Sequence, residues 1–351
     1  MALLNFRSLT LLAFSLLALT GCQIGYLVTS ASSQVEILLA RRPIEEVLKD
    51  SSVSEEDKRK LRIAIEAKQY SQSALGLKKN KNYSSYVKLN RPYVSYVVSA
   101  SPKNELKHYL WNFPMVGELP YKGFPSKEMA EEEADKLRAK NLDVHVRGVS
   151  AYSTLGWFND PVLSSMLRYK DHDLVNTIIH ENVHATMYFK SAADFNERLA
   201  AFVGNIGTEK FYLAREGEAS STLKTISLEN QDEKMFSAFI SAELDALKKW
   251  YLERAGKVIS EDERTARFKE IQDHYFKELK PKLKTNIQKD FESRPLNNAN
   301  LLQYELYMKD LADFDAVFSK LGRDFTKFID YCRQLEHVSN PEQAIKAELK
   351  R

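Results

Sequence analysis

Cysteine is almost missing from this chain: Cys22 and Cys332 are its only two among 351 residues. A disulfide framework needs several pairs, so stability has to come from packing, with a bound metal as the other candidate. An excess of charge of one sign is missing too. Lys and Arg total 51 against 48 Asp and Glu, a formal charge of +3. No basic stripe and no nucleic-acid motif accompany that balance, which excludes a phosphate-backbone partner on electrostatic grounds. Internal repeats and low-complexity tracts are absent as well, so an array architecture is not expected. What is present is a globular balance of 44% hydrophobic and 28% charged residues, in a chain long enough for one large core or two smaller ones.

The first 22 residues read as a segment outside the fold. Arg7 precedes the apolar run Leu9 to Leu19, which leads into Leu19-Thr20-Gly21-Cys22. The run is short for a membrane-spanning helix, and small residues before a cysteine fit a lipoprotein signal. Cys22 is then the lipidated first residue of the mature chain, with ordinary secretory cleavage or an uncleaved anchor as the alternatives. Each buried acyl CH2 group contributes about 0.8 kcal/mol to membrane attachment. Gln23 after the cysteine points to the periplasmic face of the outer membrane, so a cell-envelope lipoprotein is expected. Cys332 lies in the apolar-periodic segment Phe325, Ile329, Tyr331, Cys332 and Leu335, where a buried, inert thiol is expected.

The texture of the mature chain changes twice. Ile24 to about Lys49 and Glu55 to about Leu75 carry helical periodicity, the first broken near Pro43 and the second capped by Ser54. From Tyr83 the residues Val87, Leu89, Tyr93, Val94, Tyr96, Val97 and Val98 predict short strands. Ser126 to Lys140 predicts a helix with an acidic start and a basic end, and Asp143-Val144-His145-Val146-Arg147 alternates like a strand. After Asn159-Asp160-Pro161 the pattern is nearly all helical, with helices expected at 161–169, 172–189, 194–215 and 222–255 and long periodic segments beyond. The expectation is a mostly helical α+β fold with a small mixed sheet. Its parts are a signal over 1–22, an N-terminal and metal-binding region over 23–220, and a helical region over 221–351 that completes the cleft. The charge-rich span 255–292 has an extended hairpin arm as its alternative.

Chemistry concentrates in His180-Glu181-Asn182-Val183-His184. Residues four apart on a helix project to one side, so His180 and His184 can present two imidazole nitrogens to one cation. Zn2+ suits histidine nitrogen and carboxylate oxygen in a tetrahedral shell with one position left open. Glu181, beside the first ligand, can act as general base toward water. Leu174, Val175, Ile178, Ile179 and Val183 form an apolar arc that seats such a helix. The bland alternative is a core helix with two incidental histidines. Glu197, after Asp194-Phe195-Asn196, is the expected third ligand. Its competing role is a capping box with Asp194, and Glu209 is the fallback ligand. Segment 151–158, with Tyr152 and Trp157, could run beside the cleft and donate backbone hydrogen bonds to an extended peptide. Tyr307 is the candidate catalytic hydroxyl for the oxyanion, against ordinary helix packing.

The chain resembles a bacterial family described as putative zinc aminopeptidases, related by its site to the thermolysin-type, glutamate-ligand (gluzincin) metallopeptidases. The resemblance rests on residues 30–34 and 41–44, Phe113-Pro114-Met115-Val116-Gly117, Pro120-Tyr121-Lys122-Gly123-Phe124 and Ala151 through Pro161, and it covers most of the mature chain. The family's His-Glu-x-x-His motif falls on His180, Glu181 and His184, and its Phe-Asn-Glu segment on Phe195, Asn196 and Glu197. Asn182 and Val183 stand where the family usually has leucine and alanine. Arg198 stands where a small polar residue is common, a change that could alter charge near the cleft. The resemblance implies a zincin-like fold with an active-site helix and zinc-dependent hydrolysis of peptide or protein substrates, as an aminopeptidase. An endopeptidase of the same chemistry and a non-catalytic, membrane-tethered, metal-stabilised scaffold are the alternatives. An aminopeptidase needs a group for the free amino terminus, commonly a carboxylate, and Glu118 is the candidate. Oligomeric state is not legible.

Overall fold

The computed structural model describes residues 29–113, 117–151, 153–154, 158–307 and 311–350, with the side chains of Leu306 and Tyr307 left aside. Cys22 and its signal segment, Tyr152 and Trp157 lie outside the described residues. In chain order the elements are α1 (29–39), β1 (Arg42–Pro43), α2 (Ile44–Val47), α3 (Glu55–Ser73), β2 (Ser85–Val87), β3 (Ser95–Pro102), β4 (Trp111–Phe113), β5 (Gly117–Leu119), β6 (Lys122–Phe124), α4 (Lys127–Ala139), β7 (Leu142–Val149) and β8 (Val162–Leu163). Helices then dominate: α5 (Asp171–His184), α6 (Ala193–Glu216), α7 (Ser221–Leu252), α8 (Glu261–His274), α9 (Asn298–Tyr307), α10 (Ala312–Lys320), α11 (Phe325–Gln334) and α12 (Pro341–Glu348). The fold is mostly helical α+β with small mixed sheets, and no described helix is long and apolar enough to cross a membrane.

Local chemistry accounts for many boundaries. Ser54 accepts a hydrogen bond from the backbone N–H of Asp57 and starts α3, whose first turn holds Glu55, Glu56 and Asp57. Ser126 caps α4 in the same way through Met129. Pro43 interrupts the first helical segment, where a short strand pairs Arg42 with Tyr86.

One span differs from expectation, and at a second the alternative reading fails. In 161–169 the structure has β8 and a short 3-10 turn at Met166–Arg168 instead of a helix. The Asp160 carboxylate accepts from Thr154 N (2.9 Å) and Thr154 Oγ1 (2.8 Å) and so ties a loop rather than capping a helix, while Val162 and Leu163 pair in parallel with Tyr86 and Val87. Span 255–292 is no extended arm: α8 continues through a π turn at Tyr275–Leu279, and Phe268, Ile271, Tyr275 and Phe291 pack with Phe236, Ile240 and Leu247 of α7. A larger cluster joins α3, α5 and α6 to Phe314, Phe318, Phe328, Cys332 and Ile345 near the C-terminus. Cys332 is fully buried there, and burial pushes its thiol well above the usual range.

In the central sheet β3 is flanked by β6 and β7, both antiparallel. The pleat divides β7: Leu142, Val144 and Val146 pack with α4 residues Ala130, Ala134 and Leu137, while Asp143, His145 and Arg147 face the other way. Asp143 and Arg264 form a buried ion pair, and Asp143 also accepts from Asn298 N at 2.9 Å, the first residue of α9. One carboxylate thereby joins the sheet, α8 and α9. Removing it in Asp143→Ala should cost about 3–5 kcal/mol, because a buried guanidinium loses its buried carboxylate and keeps only the exposed Glu261 as an anionic partner. Urea denaturation measures this; pairing the change with Arg264→Met should recover part of the loss, and a loss below about 1 kcal/mol would contradict the role assigned to the pair.

Candidate active site

Helix α5 buries Leu174, Val175, Ile178, Ile179 and Val183 in the large cluster, which leaves His180 and His184 beside that arc at the edge of a cavity. Their Nε2 atoms are 3.2 Å apart. Helix α6 returns alongside, and Glu197 brings Oε2 to 3.4 Å from His180 Nε2 and Oε1 to 3.8 Å from His184 Nε2. One ligand atom from each residue lies within 4.8 Å of the others. Metal–donor bonds of about 2.0–2.2 Å at tetrahedral angles separate neighbouring donors by roughly 3.4 Å, so the three groups fit a zinc-sized cation. The capping alternative for Glu197 is not realised: Ala192 is the N-cap of α6, and no side chain caps it. Glu209 is engaged elsewhere, accepting from Asn230 Nδ2 at 2.6 Å.

Close packing holds the two helices in register. A Cβ built on Gly207 of α6 would lie 2.7 Å from Leu75 Cδ1 and 3.3 Å from two Ile179 methyl carbons, so a side chain there would push α6 away from α5 and α3. The connection between the helices is pinned by Asn196, which accepts from Phe189 N at 2.9 Å and donates to Phe189 O at 2.7 Å. Asn182 is fully buried and donates to Ser71 Oγ at 3.1 Å, so its polarity serves the α3–α5 contact. Arg198 turns away from the cleft. Its guanidinium pairs with Asp313 (2.5 Å) and Glu342 (2.7 Å) and lies over the Phe314 ring, fastening α6 to α10 and α12.

Burial and neighbouring charge push the titratable groups apart. Burial opposes charge on His180, yet its hydrogen bond to Glu197 and the nearby carboxylates hold its pKa above the ordinary value. His184 is pushed down to about 4, chiefly by burial. Glu197 is also penalised by burial, but His180, His184 and Arg147 keep it below the usual carboxylate range. Glu181 is raised to about 7, first by burial and then by the negative charges of Glu197 and Asp160, with His180 opposing. A carboxyl poised near neutrality, beside three groups that could hold a metal ion, can exchange protons at working pH.

The cavity at this edge has a volume of about 770 Å3. His180, Glu181, His184 and Glu197 line one side, and His145, Arg147, Arg294, Asn300, Gln303 and Tyr304 line another. Tyr307 belongs to the same helix as the last three, but its side chain lies outside the described residues, so its expected role stays open. Glu118 is exposed and is not among the described lining residues. Sequence reasoning singled out none of His145, Arg147, Arg294 and Gln303. The strand alternation that predicted β7 was the available signal for the first two, since it sets them on one face.

The sequence profile of a family described as "putative aminopeptidase" matches residues 25–347. The chain belongs to that family. Searches of curated proteins and of solved structures gave no match. The match spans all three donors and every wall of the cavity, so the putative aminopeptidase assignment covers the site as a unit.

The raised Glu181 pKa carries a stability signature. Its ordinary value is 4.5 and its folded value about 7, so the group's contribution to stability is full below 4.5 and is lost as pH rises through 7. Metal-free Glu181→Gln, which has no charge to bury, should match wild type near about pH 4.5 and exceed it above neutrality by on the order of 3 kcal/mol. Urea midpoints of both proteins across that range test this, and a constant difference at every pH would show that the carboxyl is not raised.

Proposed function

We propose that this protein is a zinc-dependent peptidase that releases residues from the amino end of peptides, with Glu181 as general base. The observation that carries the reading is the convergence of His180, His184 and Glu197 at the mouth of a large cavity, with Glu181 adjacent to them. Their donor set suits zinc, which when bound there supplies Lewis acidity toward the scissile carbonyl and toward water. Glu181 receives the proton of the attacking water and returns it to the departing amine, a double duty served by a pKa near neutrality. Glu197 stays ionised because both histidines and Arg147 favour its charge, and so keeps an anionic oxygen toward the imidazoles. A lipid anchor at Cys22 would hold this activity at a membrane surface of the cell envelope.

Protein that begins after Cys22 should fold and retain about one zinc per chain. Metal analysis of samples purified without chelator checks this, and folded protein with no transition metal would remove the assignment. His180→Ala and His184→Ala should each release most of the zinc.

The two glutamates separate by function. Glu181→Gln should keep zinc and lower hydrolysis by at least about 100-fold, whereas Glu197→Gln should lose zinc affinity, since a neutral amide replaces an anionic ligand. Metal content and turnover are read on the same folded samples. Paired libraries of free and amino-blocked peptides, with every product weighed, test the preference for an amino end: cleavage of both sets inside the chain would make the enzyme an endopeptidase.

A further inference from the structure

An aminopeptidase reading leads one to look for a carboxylate that receives the substrate's ammonium group. Among the described residues lining the cavity the only carboxylates are Glu181 and Glu197, both already at the candidate metal centre. The remaining charged wall has the opposite sign. His145 and Arg147 project from the same face of β7, and Arg294 reaches the cavity from the segment before α9. The three groups feel one another: burial first, then Arg147 and Arg294, depress His145 to about 4, so this wall carries its positive charge on the two guanidinium groups. Arg294 donates to Tyr304 Oη at 3.1 Å, a neutral partner, and no ion pair to it is found among the described residues.

A second feature points to a polar ligand at the same place. Asn300, Gln303 and Tyr304 line the cavity at i, i+3 and i+4 spacing, which is one face of α9. The Gln303 amide nitrogen and oxygen are both shielded from solvent, and neither has a hydrogen-bond partner among the described residues. An unsatisfied donor and acceptor favour a ligand that meets them: a carboxylate can accept from the amide nitrogen, and a peptide N–H can donate to the amide oxygen. The volume of about 770 Å3 falls in the range of pockets for small ligands.

We propose that the Arg147–Arg294 wall, with Gln303 beside it, binds a carboxylate of the substrate, so that the enzyme's substrates are short peptides bearing a carboxylate within reach of the metal centre. This rests on the peptidase reading for its reaction but not for its binding. Guanidinium groups pair with carboxylates through parallel, charge-assisted hydrogen bonds, and two of them in a half-enclosed cavity select an anion over its neutral amide. The carboxylate can be the free C-terminus or an acidic side chain. The first makes the enzyme a trimmer of very short peptides, and the second makes it selective for acidic sequences.

The test uses zinc-loaded Glu181→Gln protein, which keeps the cavity and does not turn over, and measures peptide binding by calorimetry. Four tripeptides of otherwise equal sequence carry a free or amidated C-terminus, and Glu or Gln at the last position. Tighter binding of the free acids by at least about tenfold, irrespective of the side chain, supports terminal recognition; tighter binding of the Glu peptides, irrespective of the terminus, supports side-chain recognition. In either case Arg294→Met, at an exposed position that tolerates substitution, should abolish the preference, and Arg147→Met should weaken it. In the active enzyme Arg294→Met should raise KM for the carboxylate peptide and leave kcat nearly unchanged. Equal binding of all four peptides, no binding of any, or a preference that survives both arginine substitutions would overturn the proposal. Retained carboxylate preference without hydrolysis by the Glu181 enzyme would instead overturn the peptidase reading and leave this one standing.

Discussion

Two imidazoles and a carboxylate converge between α5 and α6 only because those helices run close together over several turns. His180 and His184 share one face of α5, whereas Glu197 belongs to the next helix and reaches them across a connection pinned by Asn196. Gly207 removes the side chain that would separate the helices, and Ile179 and Leu75 fill the resulting contact. The donor separations follow from that packing. A slide of either helix by one residue, about 1.5 Å along its axis, would carry a ligand out of range.

The same closeness sets the electrostatics. Four titratable groups are withdrawn from water together, and burial alone would neutralise all of them. Burial prevails at His184, which it keeps neutral, and at Glu181, which it raises toward neutrality with help from neighbouring negative groups, whereas Glu197 keeps its charge through the histidines and Arg147. A metal needs an ionised carboxylate and neutral imidazoles, and a general base needs a proton affinity close to that of its surroundings. Burial favours a neutral His184 and a Glu181 near neutrality, while His180 would give up its proton to a bound cation.

Stability of the site is spread over distant parts of the chain. Arg198 ties α6 to Asp313 and Glu342, and the Asp143–Arg264 pair ties β7 to α8 and to the start of α9. The second is a buried ion pair and the first sets a buried guanidinium against partly buried carboxylates; such pairs contribute little compared with a packed apolar replacement but cost heavily if one partner is lost. Their value here is positional: the first braces the helix that holds Glu197, and the second sets the helix whose polar face lines the same cavity as His180, His184 and Glu197.

The His180–His184 pair, Glu181 between them and the helix that carries them were legible in the sequence, because helical spacing is a local property and residues four apart must share a face. The capped start of α3, the dipole-matched charges of α4 and the alternation of β7 were legible for the same reason. The failures were non-local. Residues 161–169 have helical signals, but Val162 and Leu163 found a strand partner 76 residues earlier, and Asp160 was taken by a loop. Arg198 could be named from the sequence as a departure from the family pattern, yet only its partners 115 and 144 residues away turn it from the cleft. His145, Arg147, Arg294 and Gln303 occupy strand, loop and helix, and nothing in their local spacing announces a common wall. Local periodicity, which depends on a few neighbouring dihedrals, was determined by the sequence as read. The convergence of Glu197 on the histidines and of Arg147 and Arg294 on the same cavity was decided by packing between elements far apart in the chain.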